Sequence, residues 1–366
     1  MTTNTTAADR PASGPDGVDL AALAAYLPPL LPAAEGPLEA ELIAGGASNL
    51  TYFIRSAHGE WVLRRPPLGH VLPTAHDMAR EYRVITALGQ TEVPVPKTVL
   101  LCEDAAVIGA PFYVMERAHG VIVHEALPEG LAPEPADRRR MSEAFVDALV
   151  ALHRVDYAAV GLEGFGRPQG FVARQVRRWG EQWDRSKTRE CADIDELRRR
   201  LAAAVPDEEP APTIVHGDYR LENMIFAERR PGSIVAILDW EMSTLGDPLC
   251  DLGYALMYWV QAGDSALKQK AMEKGMVTMA PGFMTHAEMV ARYEEQSKRS
   301  VAHIDFYVAL ALYKLAIIVE GIHARYLAGE TRGEGFEALG GRVPETAQLG
   351  IEVANASRNP ALRGVR

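Results

Sequence analysis

The sequence predicts an α+β chain in two lobes: a small antiparallel β-sheet lobe with one helix, then a larger, mainly helical lobe. Three observations predict it. Up to about residue 117, short runs of β-branched, aromatic and Leu residues are broken by Gly-containing turns. After Gly120, apolar residues recur at helical spacing. Within that helical half, two short apolar runs, 213–216 and 233–238, lead into Asp218 and Asp239. The 366 residues suffice for two lobes with a sizeable core. The expected division is a disordered tail at 1–17, a first lobe at 18–118, a second at 119–340 and a C-terminal tail at 341–366.

In order along the first lobe, residues 1–17 are Thr, Ala, Pro, Gly, Ser and Asp with almost nothing to bury. Asp19 is placed to cap a short helix over 20–27, stopped by Pro28 and Pro29. Strands are expected near 38–45, 50–56 and 60–65, around turns at Gly45-Gly46 and His58-Gly59. The first turn, GGASN, could bring backbone N–H groups close to a phosphate. Most Gly-rich hairpin turns are only structural. Met78, Tyr82, Ile85 and Leu88 share a face of a helix over 77–88. Strands at 93–101 and Phe112–Glu116 complete a five-stranded sheet.

In the second lobe, Met141, Phe145, Leu149 and Leu152 form the stripe of a helix over 136–154. Val172, Val176, Trp179 and Trp183 do the same for Phe171–Ser186, and 195–204 is a shorter helix. Further helices are expected at 251–262, 264–278, 285–297 and 303–328, the third with a capping box of Thr285 and Glu288. The longest apolar run, 306–319, contains Lys314 and reads as a buried helix, not a membrane span. After about 340 the signal is low, and a Pro-Gly turn is expected just before 233–238.

The formal net charge of −11 argues against non-specific nucleic-acid binding, which needs a basic footprint. The polar N-terminus lacks the apolar core of a signal peptide. Cys102, Cys191 and Cys250 lack CxxC spacing and give no disulfide framework or zinc site. A cytoplasmic chain with reduced thiols is expected, with neither nucleic acid nor membrane as partner.

The chemistry concentrates at 214–254. Asp218 is followed five residues later by Asn223, and Asp239 comes 21 residues after Asp218. Phosphoryl transfer needs this layout. One carboxylate orients the acceptor hydroxyl, and an amide and a second carboxylate hold Mg²⁺ against nucleotide phosphates. The four-residue spacer lets the loop turn back so that Asp218 and Asn223 face one site. His216, Asp247 and Asp251 are read as loop supports, Asp251 as the N-cap of the next helix. On 171–186, Arg174, Arg177 and Arg178 beside Trp179 and Trp183 form a solvated basic face in the ordinary reading. In a sharper reading they meet an anionic acceptor.

HGDYRLEN followed by ILDWE resembles the paired motifs of the aminoglycoside phosphotransferase and choline kinase superfamily. These are small-molecule kinases with a protein-kinase-like fold. The resemblance covers roughly 38–330 and implies ATP and Mg²⁺ as cofactors, a nucleotide lying between the lobes and a small-molecule hydroxyl as acceptor. It makes Asp218 the catalytic base and Asn223 and Asp239 the metal ligands. Arg64, ending WVLR, stands where most relatives have the Lys that holds the α- and β-phosphates. Arg65 competes for that role, and strand alternation gives the site face to only one of them. Glu81 would pair with Arg64, Ser48 and Asn49 would lie in the phosphate loop, and backbone groups of Glu116 and Ala118 would meet adenine. HGD in place of HRD, without an APE-like segment, separates the chain from protein kinases.

The stretches VLRRPPLGHVLPTAHDMAREYRVI, VIGAPFYVMERAHG and LDWEMSTLGDPLCDLGY resemble one branch more closely. This is the kinase domain fused to certain animal acyl-CoA dehydrogenases, with its free-standing bacterial relatives. That branch implies a hydroxyacyl-CoA as acceptor. The alternative is an aminoglycoside or other amino-alcohol O-phosphotransferase.

Overall fold

The computed structural model describes residues 15–43, 49–68, 77–207, 210–329 and 336–364. The chain divides into two compact units, residues 1–90 with 95–118 and residues 91–94 with 119–366.

The first unit opens with α1 (Leu20–Tyr26), where Asp19 Oδ1 accepts from Ala22 N at 3.0 Å. Strands β1 (Glu39–Leu42), β2 (Leu50–Arg55) and β3 (Glu60–Arg65) precede α2 (Met78–Leu88), β4 (Thr98–Cys102) and β5 (Phe112–Glu116). The sheet is antiparallel, in the order β1-β2-β3-β5-β4. Strand β4 starts at Thr98, not at 93, because Pro94 and Pro96 have no N–H for a ladder. Alternation along β3 puts Trp61 and Leu63 in a core with Tyr52, Ile54, Phe112, Val114 and Leu23. The buried face of α2 carries Glu81 and Val84 beside Met78, Ile85 and Leu88, while Tyr82 is only half-buried. Most of the expected disordered tail lies outside the described residues. Its last part is anchored: Tyr52 Oη donates to Asp16 O at 2.6 Å, and Arg65 donates to Gly17 O.

The second unit begins with β6 (Val121–Ile122), α3 (Pro135–Arg154), α4 (Phe171–Ser186) and α5 (Ala192–Ala203). Four short strands follow: β7 (Thr213–Val215), β8 (Met224–Ala227), β9 (Arg230–Ile237) and β10 (Thr244–Gly246). They form two small sheets, β6-β8-β9 and β10-β7. Pro231 and Gly232 do not make the expected turn. They lie inside β9, an edge strand where a missing N–H is tolerated, and the hairpin turns at Glu228-Arg229.

Helices α6 (Leu249–Tyr258), α7 (Ala266–Ala271), α8 (His286–Ser297), α9 (Ile304–Leu327), α10 (Leu339–Ala356) and α11 (Pro360–Arg363) complete the unit. The helix expected over 264–278 stops at Ala271 and continues as a 3₁₀ segment, Glu273–Met279. There the Thr278 hydroxyl bonds to the backbone of Val260 and Gly275, competing with regular helix bonding. The residues taken for a C-terminal tail form α10 and α11, and α10 packs along α9. Helix α9 is long and apolar enough to cross a membrane, but 61% of its most apolar window is buried in the unit. Phe306, Leu310, Tyr313 and Ile317 face its neighbours, so it is the core helix of this unit. Gly253 of α6 lets it approach closely, since a Cβ there would sit 2.6 Å from the backbone of Tyr307.

Candidate active site

Strand β7 pairs with β10, and the chain then leaves β7 through His216, Gly217 and Asp218. Gly217 has φ 87° and a Cβ there would lie 2.7 Å from Met242 O, so conformation and space both require glycine. The His216 ring ties this loop to the next acidic position. Its Nε2 donates to Leu238 O at 2.9 Å, and its Nδ1 accepts from Asp218 N at 3.2 Å. Those partners make Nε2 the donor and Nδ1 the acceptor of the ring. Trp240 packs against the same ring, with centroids 4.6 Å apart.

Asp251 sits in the first turn of α6, and its N-cap is Pro248, so the expected capping role is incorrect. Its buried carboxylate instead accepts from His216 N at 2.6 Å and Gly217 N at 2.8 Å. His153 Nε2 approaches the same carboxylate at 3.3 Å, and Tyr293 Oη lies 2.8 Å from His153 Nδ1. Burial opposes ionisation of Asp251, but His153, His216 and the Gly217 N–H outweigh it and hold its pKa below the usual value. Burial pushes the His153 pKa down against the pull of Asp251, so this pair is a neutral imidazole donating to a carboxylate. Asp247 is also a support, accepting from Tyr307 Oη at 2.5 Å and Leu249 N at 2.9 Å.

The turn Leu221–Asn223 brings the amide back to the loop. Asn223 Nδ2 donates to Asp218 O at 2.8 Å and to Asp218 Oδ2 at 2.9 Å. This engages the amide nitrogen and leaves Oδ1 as the group that can accept or coordinate. Leu238 N donates to Asn223 O at 2.8 Å, joining the end of β9 to the same turn. Asp239 follows at φ 65°, ψ 62°, a left-handed conformation, and its side chain does not cap the 3₁₀ turn it precedes. Asn223 and Asp239 therefore offer hard oxygen donors suited to Mg²⁺. Among the described residues no group of three His, Cys, Asp or Glu forms a metal site. A two-ligand pair of this kind fits a cation completed by phosphate oxygens and water.

Two cations missed in the sequence flank Asp218. Arg220 Nε lies 3.4 Å from Asp218 Oδ2, its Nη1 lies 2.6 Å from Glu222, and its guanidinium sits over the Tyr258 ring at 5.2 Å. Lys314 of α9 donates to Gly217 O at 2.7 Å and lies over Tyr254 at 4.7 Å and Trp179 at 5.8 Å. Burial pulls the Lys314 pKa down, opposed by Asp218, Asp251 and Cys250 and reinforced by Arg178. Arg220 was visible inside the motif HGDYRLEN. No local signal marked Lys314 except one charge in an apolar run. On α4, Arg174 is turned onto the carbonyls of Arg167 and Gln169, and Arg177 lies 3.9 Å from Glu181.

In the first unit, Arg64 Nη1 lies 3.2 Å from Glu81 Oε1, with both side chains buried. Arg65 points to the other face and donates to Pro66 O and Ile108 O at 3.1 Å each. Alternation thus separates the two arginines, and only Arg64 meets Glu81. Asn49 is buried, and Ser48 lies outside the described residues. Glu116 N–H donates to Lys97 O at 2.8 Å, so that donor is committed to the sheet, and Ala118 is half-buried.

An antiparallel sheet unit followed by a helical unit, with Asp218, Asn223 and Asp239 at its short strands, defines a protein-kinase-like small-molecule phosphotransferase. The chain belongs to the phosphotransferase enzyme family APH, which it matches over residues 39–275. It is 34% identical over 339 residues to mouse acyl-CoA dehydrogenase family member 10, covering 91% of this chain and 31% of that protein. It is 34% identical over 322 residues to chicken acyl-CoA dehydrogenase family member 11, covering 87% of this chain and 41% of that protein. The chain therefore spans less than half the length of these relatives. A crystal structure from Ralstonia eutropha JMP134, of a protein provisionally named an aminoglycoside phosphotransferase, is 34% identical with a TM-score of 0.78. That match covers 92% of this chain and 98% of the other. Aminoglycoside phosphotransferase APH(4)-Ia, in a ternary complex with AMP-PNP and hygromycin B, has a TM-score of 0.60 at 12% identity. It covers 92% of this chain and 99% of its own, and shows the fold alone.

Proposed function

We propose that the chain transfers the γ-phosphoryl group of ATP to the hydroxyl of a hydroxyacyl-CoA. Asp218 orients the hydroxyl and accepts its proton. Asn223, through Oδ1, and Asp239 would hold Mg²⁺, which when bound neutralises charge on the phosphates. Arg64, fixed by Glu81, supplies the cation for the α- and β-phosphates. Most of the rate enhancement then comes from positioning and electrostatics. The observation that carries the reaction class is the grip of Asn223 Nδ2 on Asp218, which holds the carboxylate and leaves Asn223 Oδ1 as the acceptor of that amide. ATP as donor is in keeping with the AMP-PNP bound to APH(4)-Ia, which shares the fold.

The acceptor rests on a different feature. Arg220 and Lys314 flank Asp218, Trp179 and Arg178 lie by Lys314, and Glu222 offsets part of the Arg220 charge. This surround suits an anionic acceptor and repels a polycation. The dehydrogenase names of the relatives point the same way. An aminoglycoside acceptor is the second reading, favoured by the name given to the Ralstonia structure.

A coupled ATP-consumption assay against hydroxyacyl-CoAs, amino-alcohols and aminoglycosides tests both. Turnover is expected with a hydroxyacyl-CoA, and Asp218→Ala should lower it by about 10²–10⁴-fold with nucleotide binding retained. Turnover confined to aminoglycosides would establish the second reading. Near-full activity in Asp218→Ala would remove that residue as the base.

A further inference from the structure

The second unit contains a cavity of about 500 Å³ that the phosphotransfer chemistry leaves unused. It is walled by residues of α6, α7, α8, α9 and α10 and lies in the size range of small-molecule sites. Its apolar side is Leu256, Val290, Ile304, Val308, Leu349 and Val353. Four of these, Val290, Ile304, Val308 and Val353, are only half-buried, so aliphatic surface is gathered here without being fully covered.

The polar lining has a definite sign. Lys268 Nζ lies 3.1 Å from Asp264 Oδ2 and donates to Leu256 O at 3.3 Å, so the charges of that pair cancel inside the fold. His286 Nε2 lies 2.7 Å from Trp259 O. Burial and the adjacent Lys268 push its pKa down to about 4, so it is neutral at pH 7. Two further carboxylates line the cavity, Asp305 in the first turn of α9 and Glu352 on α10. Among the described residues Glu352 accepts a neutral hydrogen bond, from Ser265 Oγ at 3.2 Å. No ion pair among the described residues engages either one, so the lining carries three carboxylates against one ammonium.

We propose that this cavity is a second ligand site, which takes an amphipathic amine. The hydrocarbon body lies against Val290, Ile304, Val308, Leu349 and Val353, and the protonated amino group lies at Asp305 and Glu352. An apolar molecule bearing a carboxylate fits the same wall but meets the wrong charge.

Isothermal titration of the full chain with n-octylammonium chloride, and with sodium octanoate as the matched anion, tests the site. Octylammonium is expected to bind once per chain, with a Kd at least tenfold lower than that of octanoate. The double variant Asp305→Asn/Glu352→Gln should weaken octylammonium at least tenfold with an unchanged melting profile. Glu352 is exposed, so Glu352→Gln alone keeps the test open if the double variant misfolds, and it should weaken binding at least threefold. Equal binding of the two probes, no binding of octylammonium, several equivalents bound, or full affinity in the carboxylate variants would each overturn the proposal.

Discussion

Asp251 holds Gly217 in place through its carboxylate, which accepts the Gly217 N–H at 2.8 Å while also accepting that of His216 at 2.6 Å. One buried side chain on α6 thus fixes the backbone of the two residues before Asp218. Asp251→Ala leaves the buried His216 N–H, the half-buried Gly217 N–H and the His153 donor without this acceptor. The expected loss is about 3–5 kcal/mol of stability, measured by urea unfolding. A change below about 0.5 kcal/mol would show that the clamp is not energetically important.

The buried histidines set the direction of the pH response. Folding lowers the pKa of His153 and takes that of His286 from 6.5 to about 4. A depressed folded pKa contributes stability that is present above the unfolded value and lost as pH falls toward the folded one. The melting temperature should therefore be flat near pH 7 and decline from about 6.5 toward 4. His286→Gln should reduce the slope in that window. Asp251, also depressed, adds its own loss only below the ordinary carboxylate range. A melting temperature that rises on acidification from pH 7 to 5 would contradict the sign.

The two adjacent arginines should separate by assay. Arg65→Lys gives up fork contacts to the carbonyls of Gly17, Pro66 and Ile108 and should lower stability by about 1–3 kcal/mol with little effect on nucleotide KM. Arg64→Lys keeps a cation beside Glu81. It should leave stability within about 1 kcal/mol and raise the KM for ATP several-fold. The reverse pattern in paired urea and steady-state measurements would exchange their roles.

Lys314 braces the same loop from the opposite helix. Lys314→Met should lower kcat on the order of 10–100-fold while the KM for ATP stays nearly constant, because the displaced element carries Asp218. Lys314→Arg should recover part of the loss. A purely structural role would appear instead as a lower melting temperature with kcat intact at 20 °C.

The parts of the fold and site that were legible in the sequence are those written in local spacing. The five strands of the first unit follow from alternation and Gly turns, and Asp218 and Asn223 fold together because four residues separate them. Tertiary contact decided the rest. Asp251 looked like a cap because it precedes an apolar helix, but its partners lie 34 and 35 residues earlier in the chain. Lys314 reaches Gly217 across 97 residues, which no periodicity records. Helix α10 was missed because Pro344 and paired glycines weaken its local signal, while packing along α9 stabilises it. The choice between Arg64 and Arg65 needed only the phase of β3, which Trp61 and Leu63 set once their core was visible.

Asp239 holds a left-handed backbone at φ 65° without being glycine. Such a residue costs the fold about 1 kcal/mol, less for Asp than for most side chains. Asp239→Gly should therefore melt at the same temperature or slightly higher while its affinity for Mg·ATP falls. Selection for thermal stability alone would tend to remove this carboxylate, so only a screen that also demands turnover would keep it.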